Sequence, residues 1–138
     1  MDKVFLDTNV ILDYLLARTP FDFEAKRFFE AAELGNIELY ASALTICNMA
    51  YIVRKIKSIE DFNTIAADLS LLMTITPINE TIINHALSLG YKDFEDAVQY
   101  SSALNELGLT HFITRNKADF QQTILPVLTP SQYWGDQI

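Results

Sequence analysis

Short apolar runs recur along this chain with helix-like segments between them, and that alternation restricts the fold more than any other feature. "KVFLDT" near the N-terminus, "IELYAS" (Ile37–Ser42), "MTITPI" (Met73–Ile78) and "HFITRN" (His111–Asn116) each read as a strand. "PVLTP" reads as a shorter, edge strand. The clearest helix is "DFEDAVQYSSALNELG": Phe94, Ala97, Val98, Ser101 and Leu104 share one face, Asp93 can cap its start and Gly108 its end. "FEAKRFFEAAELG" is a second, closed by Gly35. Leu44–Lys57 and Ile59–Leu72 have no strand between them and read as a helical hairpin inserted in one crossover. Such an order predicts an α/β sandwich, a mainly parallel sheet of four to five strands covered on both faces. At 138 residues the chain suits one domain, residues 1–138.

Polar residues then interrupt these runs in a particular way. Asp7, Thr8 and Asn9 break the first apolar stretch, and Asp7 ends its strand. Asp119 lies just beyond a later strand, and Glu95 and Asp96 fall in the first turn of the helix that Asp93 caps. In an open α/β sheet the carboxyl ends of the strands and the helix starts after them share one edge, where ligands bind. Taken singly, Asp7, Asp96 and Asp119 are also what helix starts favour, each worth about 1 kcal/mol. Asp93, Asn116 and either Thr8 or Asn9 read most simply as caps, and Asp13 and Glu95 as first-turn or solvated acids. The set of three shifts the balance. Two unit charges ~4 Å apart repel by roughly 4 kcal/mol at a protein-like dielectric, more than capping returns, and a divalent cation would offset this. Oxygen-only ligands suit Mg²⁺ or Mn²⁺, whereas zinc would call for Cys and His, and His85 and His111 form no ligand pair. The chemistry such an ion supports is phosphodiester hydrolysis.

Composition narrows the setting. A net charge of −8, from 18 acidic and 10 basic residues, argues against a generic DNA-coating protein, whose affinity comes from Lys and Arg. "MDKVFL" lacks the pattern of a signal peptide, no apolar run is long enough to span a bilayer, and the single cysteine, Cys47, fits a reducing compartment. A cytoplasmic protein without membrane contact is expected, with Cys47 as a small core residue. The aromatic cluster of Phe21, Phe23, Phe28 and Phe29 is expected in the core or on a dimer surface.

"FLDTNVILDYLL", "YASALTICNMAYIVRK", "DFEDAVQYSSAL" and "FITRNKADF", in this order, resemble PIN domains, in particular small single-domain proteins akin to VapC-type ribonuclease toxins. The resemblance spans essentially the whole chain. It implies a three-layer α/β/α sandwich and a Mg²⁺- or Mn²⁺-dependent endonuclease, usually acting on RNA, with Asp7, Asp96 and Asp119 as the acids. Thr8, Asn9, Thr114 and Asn116 match supporting polar residues. It also implies a small antitoxin protein as partner and a homodimer. Asn48 stands where the family usually carries a glutamate, sharing a helix face with Thr45. Asn48 therefore reads either as a neutral ligand to metal-bound water or as a buried core amide. The neutral residue raises an alternative, a PIN-like nucleic-acid- or protein-binding module with a weakened or inactive metal site. Lys92, Arg115 and Lys117 lie close in sequence to the acids, where they could hold a substrate backbone; solvated surface cations are the alternative. An aspartyl-phosphate enzyme of the haloacid-dehalogenase or receiver type shares the strand-ending Asp7. It fits less well, because no lysine stands alone after a late strand and Asn9 replaces a needed acid.

Overall fold

The computed structural model describes residues 1–135; the last three residues of the expected 1–138 domain lie outside the described residues. Five strands form one sheet: β1 (Asp2–Leu6), β2 (Ile37–Ser42), β3 (Met73–Thr76), β4 (His111–Ile113) and β5 (Val127–Leu128). Their order is β3-β2-β1-β4-β5, and every neighbouring pair is parallel. The helices are α1 (Thr8–Leu15), α2 (Asp22–Glu33), α3 (Ala43–Val53), α4 (Ile59–Leu72), α5 (Glu80–Leu89), α6 (Phe94–Leu104) and α7 (Pro130–Gly135). The pair α3 and α4 forms the expected insertion between β2 and β3.

Alternation along the strands divides the core in two. Val4, Leu6, Leu39, Ala41 and Ile113 pack on one face with Ile11 of α1, Phe28 and Phe29 of α2 and Met49 of α3. Phe5, Tyr40 and Phe112 pack on the other with Tyr100 and Ala103 of α6. Because both faces are covered over most of their length, the strands expose only Glu38 and Thr74, which is why they read as nearly continuous apolar runs. The result is the expected three-layer α/β/α sandwich.

Local chemistry sets the helix that matters most. Gly90 ends α5 in the left-handed region, at φ 70°, and the chain turns back towards the sheet. Asp93 Oδ1 then accepts from the Asp96 amide at 3.2 Å, starting α6 as predicted. The other end differs from expectation. Asn105 Nδ2 donates to the Ser101 carbonyl at 2.9 Å and closes α6 after Leu104, so Gly108 lies in the following turn. Cys47 is exposed rather than buried, since it lies on α3 between the inward-facing Thr45 and Met49. Of the aromatic cluster, Phe28 and Phe29 are core, whereas Phe21 and Phe23 are exposed.

Candidate active site

The chain builds the sheet outward from β1, through β2 and β3 on one side and β4 and β5 on the other. Loops leaving the carboxyl ends of β1 and β4 therefore part in opposite directions and leave a crevice. Asp7 and Thr114 follow those strands directly, and Thr114 Oγ1 donates to Asp7 Oδ2 at 2.8 Å. The Asp7 amide donates to the Ile113 carbonyl at 2.9 Å, so strand pairing continues to the edge of the crevice. Asp7 occupies the N-cap position of α1, displacing the expected Thr8 or Asn9, yet its carboxylate makes no cap bond. That carboxylate is instead turned to the site.

A cleft of about 450 Å³ opens here. Asp7, Asp96 and Asp119 all line it, as do Thr8, Asn9, Asn48 and Asn116. Asp93 and Glu95 bring the carboxylates at its border to five. Asp119 ends a 3₁₀ turn, Lys117–Asp119, and its amide bonds the Asn116 carbonyl at 2.9 Å. Asn116 precedes that turn without a side-chain cap bond, contrary to the capping expectation.

The electrostatics follow from this crowding. Burial raises the Asp7 carboxyl above its ordinary value, against hydrogen bonding from Thr114 and Gln99, which favours the charged form. Asp96 is pushed up to about 7, first by burial and then by the charges of Asp7, Asp93, Asp119 and Glu95. A divalent cation would relieve both, and the donors are hard oxygens throughout, so the donor chemistry fits Mg²⁺ or Mn²⁺. Among the described residues no group of three Asp, Glu, His or Cys side chains stands in an arrangement ready to hold an ion. The acids share the cleft without meeting at one point.

A hydroxyl and amide network backs the acids. Thr45 Oγ1 donates to Gln99 Oε1 at 3.2 Å, and Thr8 Oγ1 lies 2.8 Å from Thr45 Oγ1. Thr45 has a single hydroxyl hydrogen and commits it to an acceptor-only carbonyl, so Thr8 must be the donor of the second bond. With Gln99 Oε1 occupied, its NH₂ is the group available to Asp7. Gln99 was absent from the sequence-derived set, although its place three residues after Asp96 puts it on nearly the same face of α6.

The basic residues divide. Arg115 does not line the cleft. Its Nε donates to Asp13 Oδ2 at 2.6 Å and its guanidinium lies 4.0 Å from the Phe21 ring centroid. Asp13 is thus neither first-turn nor solvated: it is 1% exposed and also faces Arg18 Nη1 at 3.7 Å. Lys92 is exposed and lines a neighbouring cavity that shares Asp93 and Asp119 with the cleft. Lys117 is exposed on the 3₁₀ turn.

No curated protein matches the sequence. Solved structures do match the fold. A toxin–antitoxin complex from Klebsiella pneumoniae aligns at 25% identity and TM-score 0.70, covering 92% of this chain and 97% of that one. VapBC-1 from nontypeable Haemophilus influenzae gives 23%, 0.70, 94% and 98%. VapBC2 from Rickettsia felis, bound to a DNA fragment from its promoter, gives 15%, 0.66, 92% and 98%. The family model for the PIN domain matches residues 3–118. With its parallel five-stranded sheet and the acid-lined cleft at the carboxyl edge, the chain belongs to the PIN-domain family.

Proposed function

We propose that this PIN domain is a nuclease that hydrolyses RNA phosphodiester bonds with Mg²⁺ or Mn²⁺, acting as the toxin of a toxin–antitoxin pair. The observation that carries the reading is the gathering of Asp7, Asp96 and Asp119 in one cleft at the carboxyl edge of the sheet. Those three carboxylates would be the groups to hold the ion, once drawn closer than they stand along the cleft. A bound divalent cation supplies polarisation of a phosphoryl oxygen and a water of lowered pKa. The chain's own groups do the rest. Thr114 fixes the rotamer of Asp7, and the Thr8–Thr45–Gln99 series holds the amide behind it. Asn48 and Asn116 offer neutral amides at the border, suited to orienting water or a phosphate oxygen without adding charge. Asp96, pushed up to about 7 by burial and by the neighbouring acids, would have to give up its proton to serve as a ligand.

The test is cleavage of single-stranded RNA by purified protein with Mn²⁺ or Mg²⁺. Asp7→Asn and Asp96→Asn are each expected to abolish it. Cutting that persists in both variants removes this site from the chemistry.

A second reading rests on Asn48, which lines the cleft, half-buried, where the resemblance calls for glutamate. On that reading the chain is a PIN-like binding module with a weakened metal site. Mn²⁺ titration separates the two: saturable binding near neutral pH favours the enzyme, its absence the module.

The Klebsiella pneumoniae neighbour is a toxin–antitoxin complex, which supports a small antitoxin as partner here. We assign a homodimer and a cytoplasmic setting with it, the latter on the single unpaired cysteine. Among the described residues no helix is long and apolar enough to cross a membrane.

A further inference from the structure

We infer that Tyr51 and Lys55 form a subsite for one unpaired nucleobase and its phosphate beside the acid cleft. This rests on the nuclease reading above and names the part of the substrate that the α3 wall takes. Asn48, Tyr51, Ile52 and Lys55 follow the spacing of one helical face along α3 and the turn after it. The first three line the cleft. Where α6 and the 3₁₀ turn border it the cleft is acidic; where Leu12, Tyr51 and Ile52 border it the cleft is apolar and aromatic.

A nucleotide has the same two halves, an anionic phosphate and a planar base. Tyr51 is 69% exposed, so its ring is not spent on the core. Lys55 Nζ lies over one face of the ring, 4.4 Å from its centroid, which leaves the opposite face to stack a base and holds a positive charge close to it in a strongly acidic protein. A base laid on this ring has its phosphate within the field of Lys55. In a duplex both faces of each base are already stacked on neighbours, so the subsite takes only an unpaired strand.

The experiment compares Tyr51→Ala, Tyr51→Trp and Lys55→Ala with the wild type on a single-stranded RNA oligonucleotide and on its abasic counterpart. Tyr51→Ala is expected to raise KM roughly 5- to 150-fold, the range for losing one base stack, with kcat and Mn²⁺ affinity retained. Tyr51→Trp keeps the wild-type KM, and the abasic strand removes the difference between wild type and Tyr51→Ala. An unchanged KM in Tyr51→Ala overturns the subsite, as does an altered oligomeric state with unchanged KM, which gives the ring to a protein interface. Wild-type protein that binds the strand but never cuts it fails the nuclease reading alone. Quenching of a 2-aminopurine base in the strand, present with wild type and lost with Tyr51→Ala, then still decides the subsite. Equal quenching by both proteins overturns it.

Discussion

Asp96 shows how far one side chain departs from ordinary behaviour when its neighbours share its charge. Its carboxyl is pushed from 3.8 to about 7, so between about pH 4 and 7 the folded protein keeps a proton that the unfolded chain has lost. Stability from this group is therefore full below about pH 4 and declines as pH rises through 7. Without added cation, Asp96→Asn is expected to flatten that decline and to stabilise the protein at pH 7.5. Its partly exposed position limits the gain to about 1 kcal/mol. Thermal melts of both proteins at pH 5 and 7.5 measure it; a variant less stable than wild type at pH 7.5 contradicts the crowding. Asn48 makes the converse case. Asn48→Glu adds a carboxylate to the border of the same cleft, so apo-protein stability should fall at pH 7.5 while Mn²⁺ affinity rises roughly tenfold through added ligand charge. Isothermal titration reads the affinity, and no gain would place residue 48 outside the reach of the ion.

At the scale of elements, α1 and the segment after β4 are joined twice. Thr114 bonds Asp7 at the start of α1, and Arg115 bonds Asp13, six residues further along, through Nε at 2.6 Å and Nη2 at 3.1 Å. Consecutive residues of an extended chain point to opposite sides, so one reaches the cleft and the next reaches the core beneath it. This pair fixes the path that delivers Asn116 and Asp119. Arg115→Ala leaves a buried carboxylate facing only Arg18 at 3.7 Å, a loss of about 3 kcal/mol. Arg115→Lys should recover little, because an ammonium cannot reproduce the two-pronged contact. Asp13→Ala with Arg115→Ala should cost less than the sum of the single changes, measured by urea denaturation. Additive losses would show that the two residues act apart. Sequence periodicity revealed the strands and helices because their signals are local. It reads Arg115 as a substrate contact or a solvated cation and Asp13 as a first-turn or solvated acid, because the two partners stand 102 positions apart. The end of α6 was misplaced for a related reason, an Asn105 side chain doing what a glycine was expected to do. The three acids were legible because Asp7 follows β1, Asp96 lies in the first turn of α6 and Asp119 follows β4 after one short turn, and parallel topology sends these strand ends and helix starts to one edge. Gln99 was not, since its i+3 spacing from Asp96 gives it the face but not the role, which depends on its partner Thr45, 54 positions away.

For the molecule as a whole, a net charge of −8 sets two opposing requirements. An anionic protein repels RNA, so on the nuclease reading attraction would come from few cations and from bound metal. Lys92 beside the cleft and Lys55 on its α3 side would account for about two phosphate contacts, giving a slope of log affinity against log salt of about −1.4 on a single strand. A slope several times steeper would require many more phosphate contacts than these two lysines supply and would contradict this account. The same charge would make a bound divalent ion a stabilising ligand of the fold. At about 100 times its dissociation constant an ion bound only by the native state adds roughly 2.7 kcal/mol. In a protein of this size that amounts to a rise in Tm of roughly 10 °C. Mn²⁺ should produce that shift in the wild type at pH 7.5, where the acids are most crowded by charge, and less of it at pH 5, where Asp96 is protonated and ion binding must displace a proton. Asp7→Asn should lose most of the shift at both. Monovalent salt at matched ionic strength controls for screening, since it acts on all 18 acidic residues and not on one cleft. Equal stabilisation by the two salts would mean that the carboxylates at the sheet edge hold no ion of their own.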